Sequence, residues 1–354
     1  MSRTYDRIAT GPHERARPGL ASGAALAGLG LLASYLFVRA KTRQAERDNP
    51  PQGKFVTVDG VRLHYLERGE GPTLVLLHGN GTYSRDFEIS GLIDRAAGHY
   101  RVIAFDRPGF GYSERPRDTM WTPDNQARLL HHALQALGVD SAIVLGHSWG
   151  TLVALAMGLR VPHFVRGLVL VSGYYYPSPR LDVALSSPPA LPVVGDLMRY
   201  TVAPIAGRLL WRGTLKRAFT PQAIPASYRA MPAWMALRPS QLRASAAEAA
   251  LMVPSALAMA RRYARLKVPV RVLAGTRDAV ADCTHNAERL HERLQGWSKN
   301  SELGLEPGVG HMLHHAHPEK VLAAIDAIAT QAGVPPALHN PRAEALARAS
   351  ESGV

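Results

Sequence analysis

A serine stands between two glycines in Gly146-His147-Ser148-Trp149-Gly150, where a short apolar run ends and a helical pattern begins. Ala142 to Leu145 reads as a buried strand, and Thr151 to Leu159 sets small and apolar residues at helical spacing. A sharp turn between the two strains its central residue, and only glycine at the flanking positions lets neighbouring backbone approach without a clash. A serine hydroxyl is a poor nucleophile at neutral pH. It needs a base within hydrogen-bond reach, and the base needs a third group that fixes its tautomer. Two distant segments offer those groups. Val268 to Ala274 is an apolar strand running into Gly275-Thr276-Arg277-Asp278, and Pro307-Gly308-Val309-Gly310-His311 sets a histidine in a glycine-rich loop after a strand over Ser301 to Glu306.

Each residue has a competing assignment. Asp282 rivals Asp278, since either carboxylate can be the acid or can stabilise a helix N-terminus. The position directly after a strand favours Asp278, because catalytic groups gather at the carboxyl ends of parallel strands. His314, His315 and His317 invite a metal reading, but no acidic or cysteine ligand is expected to accompany them, so a histidine-rich loop leading into a surface helix is expected and no metal. His78 reads as a structural histidine that hydrogen-bonds its loop, and Asn80-Gly81 as a turn dipeptide.

The elements that must position these groups alternate along the chain. Phe55 to Val58 and Val61 to Leu66 form a hairpin about Asp59-Gly60, followed by strands at Thr73 to Leu77, Arg101 to Phe105, Ala142 to Leu145 and Leu168 to Val171. Thr122-Pro123-Asp124 caps a helix running to Leu137, which Gly138 closes. From about Tyr174 to Leu266 the alternation stops. Eleven prolines between Pro177 and Pro254 exclude a continuous strand pattern there, leaving helical fragments such as Gln241 to Met252 in an insertion.

The N-terminal part differs in character. Pro18 to Val38 gives 21 consecutive uncharged residues, enough at about 1.5 Å per residue to cross a hydrocarbon core of about 30 Å. A single membrane helix over 18–38 is expected, with a cleaved secretory signal or a hydrophobic arm packing on the catalytic domain as rivals. Arginines lie on both sides, so its orientation stays open. Ala40 to Gln52 reads as a linker, and the tail after Pro335 holds a marginal helix from Arg342 to Arg348.

The segments from about Phe55 to about Ala329 resemble the α/β-hydrolase superfamily. The strand ending in His78-Gly79-Asn80-Gly81 is similar to the family's third strand and oxyanion loop, and Phe105-Asp106-Arg107-Pro108-Gly109-Phe110-Gly111-Tyr112-Ser113 to the loop after its fourth. His78-Gly79-Asn80, with a tryptophan directly after the nucleophile, resembles the haloalkane dehalogenases. Those enzymes and epoxide hydrolases use an aspartate nucleophile, where this chain has Ser148. The resemblance implies a mostly parallel sheet flanked by helices, with 53–173 and 267–335 as the core, 174–266 as a helical cap, and 1–52 and 336–354 outside it. It implies Ser148 as nucleophile, His311 as base, Asp278 as acid, the backbone N–H groups of Asn80 and Trp149 as oxyanion donors, and no cofactor. Trp211, Trp234, Met231, Met235 and Tyr174 to Tyr176 are pocket candidates, with packing inside the cap as the alternative.

The implied activity is serine hydrolysis of an apolar ester, thioester or lactone. The same triad supports carbon–carbon bond hydrolysis or cofactor-free perhydrolysis, and an inactive membrane-tethered binding protein is the alternative of another class. A net charge of +13 in 354 residues is spread without a long basic run, which argues against nucleic-acid binding. With Cys283 as the only cysteine, no intrachain disulfide can form.

Overall fold

The computed structural model describes residues 19–296 and 301–334. The basic residues before the first helix and the tail helix expected at Arg342 to Arg348 lie outside the described residues. Eight strands form one sheet: β1 (Lys54–Val58), β2 (Val61–Arg68), β3 (Thr73–Leu77), β4 (Arg101–Phe105), β5 (Ala142–His147), β6 (Val165–Val171), β7 (Val270–Gly275) and β8 (Ser301–Glu306). Their order is β1-β2-β4-β3-β5-β6-β7-β8. β2 runs antiparallel to both of its neighbours and the remaining pairs are parallel. The hairpin turn carries positive φ at Asp59 and Gly60, as a two-residue connection between twisted strands requires.

The central strands are buried on both faces, which explains why they read as unbroken apolar runs. Successive side chains alternate between two cores. Val75, Leu77, Ile103, Phe105 and Val144 pack with the helices Pro123–Ala136 and Gly150–Arg160. Leu74, Leu76, Val102, Ala104 and Leu145 pack on the other side, where the helix Pro318–Gln331 buries Val321, Ile325 and Ile328. β3 lies between β4 and β5, so strand order reverses there and the loops leaving β3 and β5 flank a crevice at the carboxyl edge.

Between β6 and β7 the chain builds helices at Leu181–Ser186, Val194–Tyr200, Val202–Phe219, Ala233–Ala236 and Pro239–Ala260. The last runs through Pro254, well past the end expected near Met252. A proline inside a helix costs about 3 kcal/mol, and burial of Ser255, Ala256 and Met259 beyond it offsets that cost. A second correction concerns the expected linker. One 30-residue helix spans Gly19–Asp48, so Ala40 to Asp48 is helical. It is held on the insertion: Ala45 is buried, Ser34 Oγ donates to Thr201 O at 3.0 Å, and Arg238 Nη1 lies 3.0 Å from Glu46 Oε1. The helix contains a stretch long and apolar enough to cross a bilayer, near the N-terminus.

Candidate active site

Ser148 follows β5 directly and takes φ +52°, a left-handed conformation that an L-residue rarely adopts. The flanking glycines make this turn possible. A Cβ on Gly146 would lie 2.5 Å from Gly150 O, and one on Gly150 would lie 2.2 Å from Leu77 O. The turn is pinned by Ser148 N donating to Val171 O at 2.9 Å and by Thr151 Oγ1 donating to Ser148 O at 2.6 Å.

The three residues that the sequence nominates come together here. His311 Nε2 lies 3.0 Å from Ser148 Oγ, and His311 Nδ1 lies 2.8 Å from Asp278 Oδ2. Asp278 Oδ1 accepts the backbone N–H of Val280 and of Ala281, each at 2.8 Å, which fixes the carboxylate plane. An Nδ1–H donated to Asp278 leaves the Nε2 lone pair facing the serine hydroxyl. Asp282 is occupied elsewhere, accepting His285 N at 2.7 Å at the start of the helical turn Thr284–Glu288. The loop after β3 closes on the same point: a Cβ on Gly79 would lie 3.1 Å from Ser148 Cβ. Asn80 Nδ2 donates to Ser245 O at 3.2 Å, tying this loop to the insertion. Among the described residues, the backbone N–H groups of Asn80 and Trp149 have no acceptor.

Behind these groups lies a buried ion pair that the sequence reading missed. The Arg107 guanidinium donates to His78 O at 2.7 Å and Gly79 O at 3.0 Å, and it meets both oxygens of Glu248, with Nη2 to Oε2 at 3.0 Å. Both side chains are fully buried. Trp149 Nε1–H donates to Glu248 O at 3.2 Å, so the residue after the nucleophile is fastened to the same helix turn. One signal was available: a lone glutamate within Ser245-Ala246-Ala247-Glu248-Ala249-Ala250-Leu251 must find a cation if that helix is buried. His78 is a structural histidine here, with Nδ1 2.7 Å from Gly79 O and Nε2 accepting Arg107 N at 3.0 Å. Burial and then the nearby Arg107 charge lower its pKa to about 3, so the ring is neutral.

Two of the three histidines after position 311 depart from the surface expectation, whereas His317 stays partly exposed beside Glu319. His314 and His315 are enclosed, with Nε2 atoms 2.9 and 3.0 Å from the two oxygens of Asp86. Asp86, Phe87, Phe219 and Tyr228 bring an acid and aromatic rings onto them from remote parts of the chain. Burial alone would raise the Asp86 carboxyl; the two imidazoles reverse this and hold it well below the usual carboxylate range. The three potential ligand atoms fall within 4.8 Å of one another, an arrangement that two N–H···O bonds already satisfy. His147 completes the stack, donating from Nε2 to His311 O at 3.2 Å, and burial keeps it neutral by lowering its pKa well below the ordinary value. Of the pocket candidates, Met231, Met235, Trp211 and Trp234 pack in an apolar cluster with Tyr83, Phe110 and Phe219. Tyr175 and Tyr176 donate their backbone N–H groups to Asn286 Oδ1 at 2.8 and 3.3 Å.

The chain belongs to the alpha/beta hydrolase fold family, whose model matches residues 72–318. It is similar to haloalkane dehalogenase 2 of Mycobacterium tuberculosis, 29% identical over 275 residues that cover 75% of this chain and 90% of that protein. It also matches 2-hydroxymuconate semialdehyde hydrolase of Pseudomonas putida, 38% identical over 130 residues, 36% of this chain and 45% of the relative. Among solved structures, a meta-cleavage product hydrolase of Pseudomonas fluorescens superposes with TM-score 0.63 at 19% identity, covering 80% of this chain and all of that one (100%). A bacterial membrane phospholipase A superposes with TM-score 0.57 at 23% identity, covering 89% of this chain and 97% of the other. At these identities the structures establish the fold alone.

Proposed function

We propose that the chain is a serine hydrolase that cleaves an apolar ester, thioester or lactone through an acyl-enzyme on Ser148. The observation that carries this reading is the pair of contacts joining Ser148 Oγ to His311 Nε2 at 3.0 Å and His311 Nδ1 to Asp278 at 2.8 Å. His311 takes the hydroxyl proton as Ser148 Oγ attacks the carbonyl carbon, and Asp278 stabilises the imidazolium that results. The backbone N–H groups of Asn80 and Trp149 receive the negative oxygen, each donor contributing about 3 kcal/mol to the transition state. Collapse expels the leaving group with the proton from His311, and water repeats the sequence on the acyl-enzyme. The helices of 174–266 act as a cap that excludes water, resting on the core through Glu248 and Arg107.

Carbon–carbon bond hydrolysis is the second reading, favoured by the 38% identity to 2-hydroxymuconate semialdehyde hydrolase over 130 residues. Dehalogenation is not proposed, because alkylation of a serine would leave an ether that water does not cleave as it does an aspartyl ester. A fluorophosphonate probe tests the main reading: labelling of the protein and its loss in Ser148→Ala support it, and equal labelling of both forms sinks it. Turnover of graded esters against a ring-fission dienoate separates the two substrate classes. We further propose that residues 18–38 anchor the protein in a membrane, on the length and apolar character of the helix. Release of the intact chain by carbonate washing would remove the anchor.

A further inference from the structure

The helical insertion presents apolar side chains where a water-soluble cap would present polar ones. Leu209 and Val193 are 80% and 79% exposed, and Leu191, Leu197, Val202 and Leu210 are about half exposed or more. Val193 is held outward at φ +62°, a conformation that a β-branched residue adopts only under constraint. The helix Val202–Phe219 has no acidic residue; its exposed Arg208, Arg212 and Lys216 interleave with Leu209 and Leu210. Apolar side chains between cations on a surface helix suit the boundary between lipid headgroups and acyl chains.

This face is continuous with the N-terminal helix at a defined height. Tyr35 meets Tyr200 with ring centroids 6.3 Å apart, Phe37 meets Trp234 at 5.8 Å, and Ser34 bonds Thr201. Above that level the helix stands clear of the protein, with Leu26 70% exposed. If 18–38 spans the hydrocarbon, residues 34–38 lie at its edge, and the helices Val194–Tyr200 and Val202–Phe219 touch the anchor at that edge.

We propose that residues 191–210 form a second membrane-binding surface, which dips into the outer acyl region of a leaflet carrying anionic lipid and lays the insertion on the bilayer. This deepens the anchor reading and takes its depth from it. The occupant is lipid rather than another protein: the patch abuts a helix of membrane-spanning length, and its one acid, Asp196, is paired with Arg117 and Arg199, which leaves exposed Arg208, with Arg212 and Lys216 beyond it, to meet anionic headgroups.

The test uses the full chain with Cys283→Ser, so that a single introduced cysteine carries an environment-sensitive fluorophore. Labels go at Leu209→Cys, Val193→Cys, Leu29→Cys and, in the exposed turn before β3 at the opposite edge of the sheet, Glu70→Cys. Each protein is reconstituted in phosphatidylcholine–phosphatidylglycerol vesicles with and without brominated acyl chains, and fluorophosphonate labelling confirms the fold. Loss of most of the emission at 209, 193 and 29, with none at 70, is the expected result. Quenching at 29 but not at 209 or 193 overturns the surface and keeps the anchor. Quenching at 209 and 193 without 29 keeps the surface and removes the anchor, and quenching at none of the three removes both. Labels at 209 and 193 shielded from both bromolipid and aqueous iodide assign the face to a second copy of the chain and overturn the lipid.

Discussion

Around Ser148 buried charged side chains are matched in pairs: Arg107 on Glu248, Asp106 on His64 at 2.7 Å, Asp86 on His314 and His315, Asp278 on His311. On the insertion and the first helix, Leu26, Val193 and Leu209 stand open to the surroundings. The first region spends its hydrogen bonds on fixing a geometry, whereas the second leaves apolar area uncovered that water would penalise by about 25 cal/mol per Å². Substitutions should therefore act oppositely in the two places. Near the serine they cost activity or stability, and on the open face they leave the fold untouched.

The largest expected effect is Ser148→Ala, which should lower turnover by about 10⁶-fold if the acyl-enzyme reading holds. Stopped-flow hydrolysis of an activated ester measures it, and residual activity within a few fold of the parent would remove the serine from the chemistry. Asp278→Asn comes next, at about 10⁴-fold, because the amide favours the wrong imidazole tautomer. Asp282→Asn should stay within about tenfold while costing at most about 1 kcal/mol of stability as an altered helix cap. Reversal of these two would exchange their roles. Glu248→Ala leaves the Arg107 guanidinium buried without its partner and should lose about 3–5 kcal/mol in urea unfolding.

Acid should loosen the matched region too. His78 and His147 are buried and neutral, with pKa values lowered from 6.5, to about 3 for His78 and well below the ordinary value for His147. The unfolded chain thus binds more protons than the folded one below pH 6.5, and stability falls as the pH drops through that window. His78 alone amounts to roughly 2 kcal/mol between pH 7 and pH 5, and His147 adds to the loss in the same direction. Urea midpoints across that range check the slope, and a flat profile would mean the rings are protonated in the fold. The smallest effect belongs to the open face: Leu209→Ser with Leu210→Ser should shift the unfolding free energy by no more than about 0.5 kcal/mol. A large loss there would show that the leucines support the fold.

What the sequence disclosed, and what it hid, follows contact distance along the chain. The strands were legible locally, the central ones as apolar runs, and Ser148, Asp278 and His311 were legible because each lies in a loop that follows a strand. Gly146 and Gly150 carried the turn itself. The Arg107–Glu248 pair joins residues 141 positions apart, and His314 reaches Asp86 across 228. No local pattern records such meetings, so His314 was expected in a loop leading into a surface helix and Glu248 was not singled out. Ala40 to Asp48 looked like a linker because its polarity outweighed its helix propensity, and docking on the insertion decided the matter.

The unbroken helix from Gly19 to Asp48 has a mechanical consequence. Thirty residues make a rod of about 45 Å, seated on the insertion at its lower end rather than joined to it by slack chain. A rod transmits tilt as well as position, so the height and facing of the serine above whatever holds the upper end are set by geometry and not by diffusion on a leash. If residues 18–38 anchor the protein as proposed, changing the bilayer thickness would rotate the whole hydrolase, sheet included, as one body.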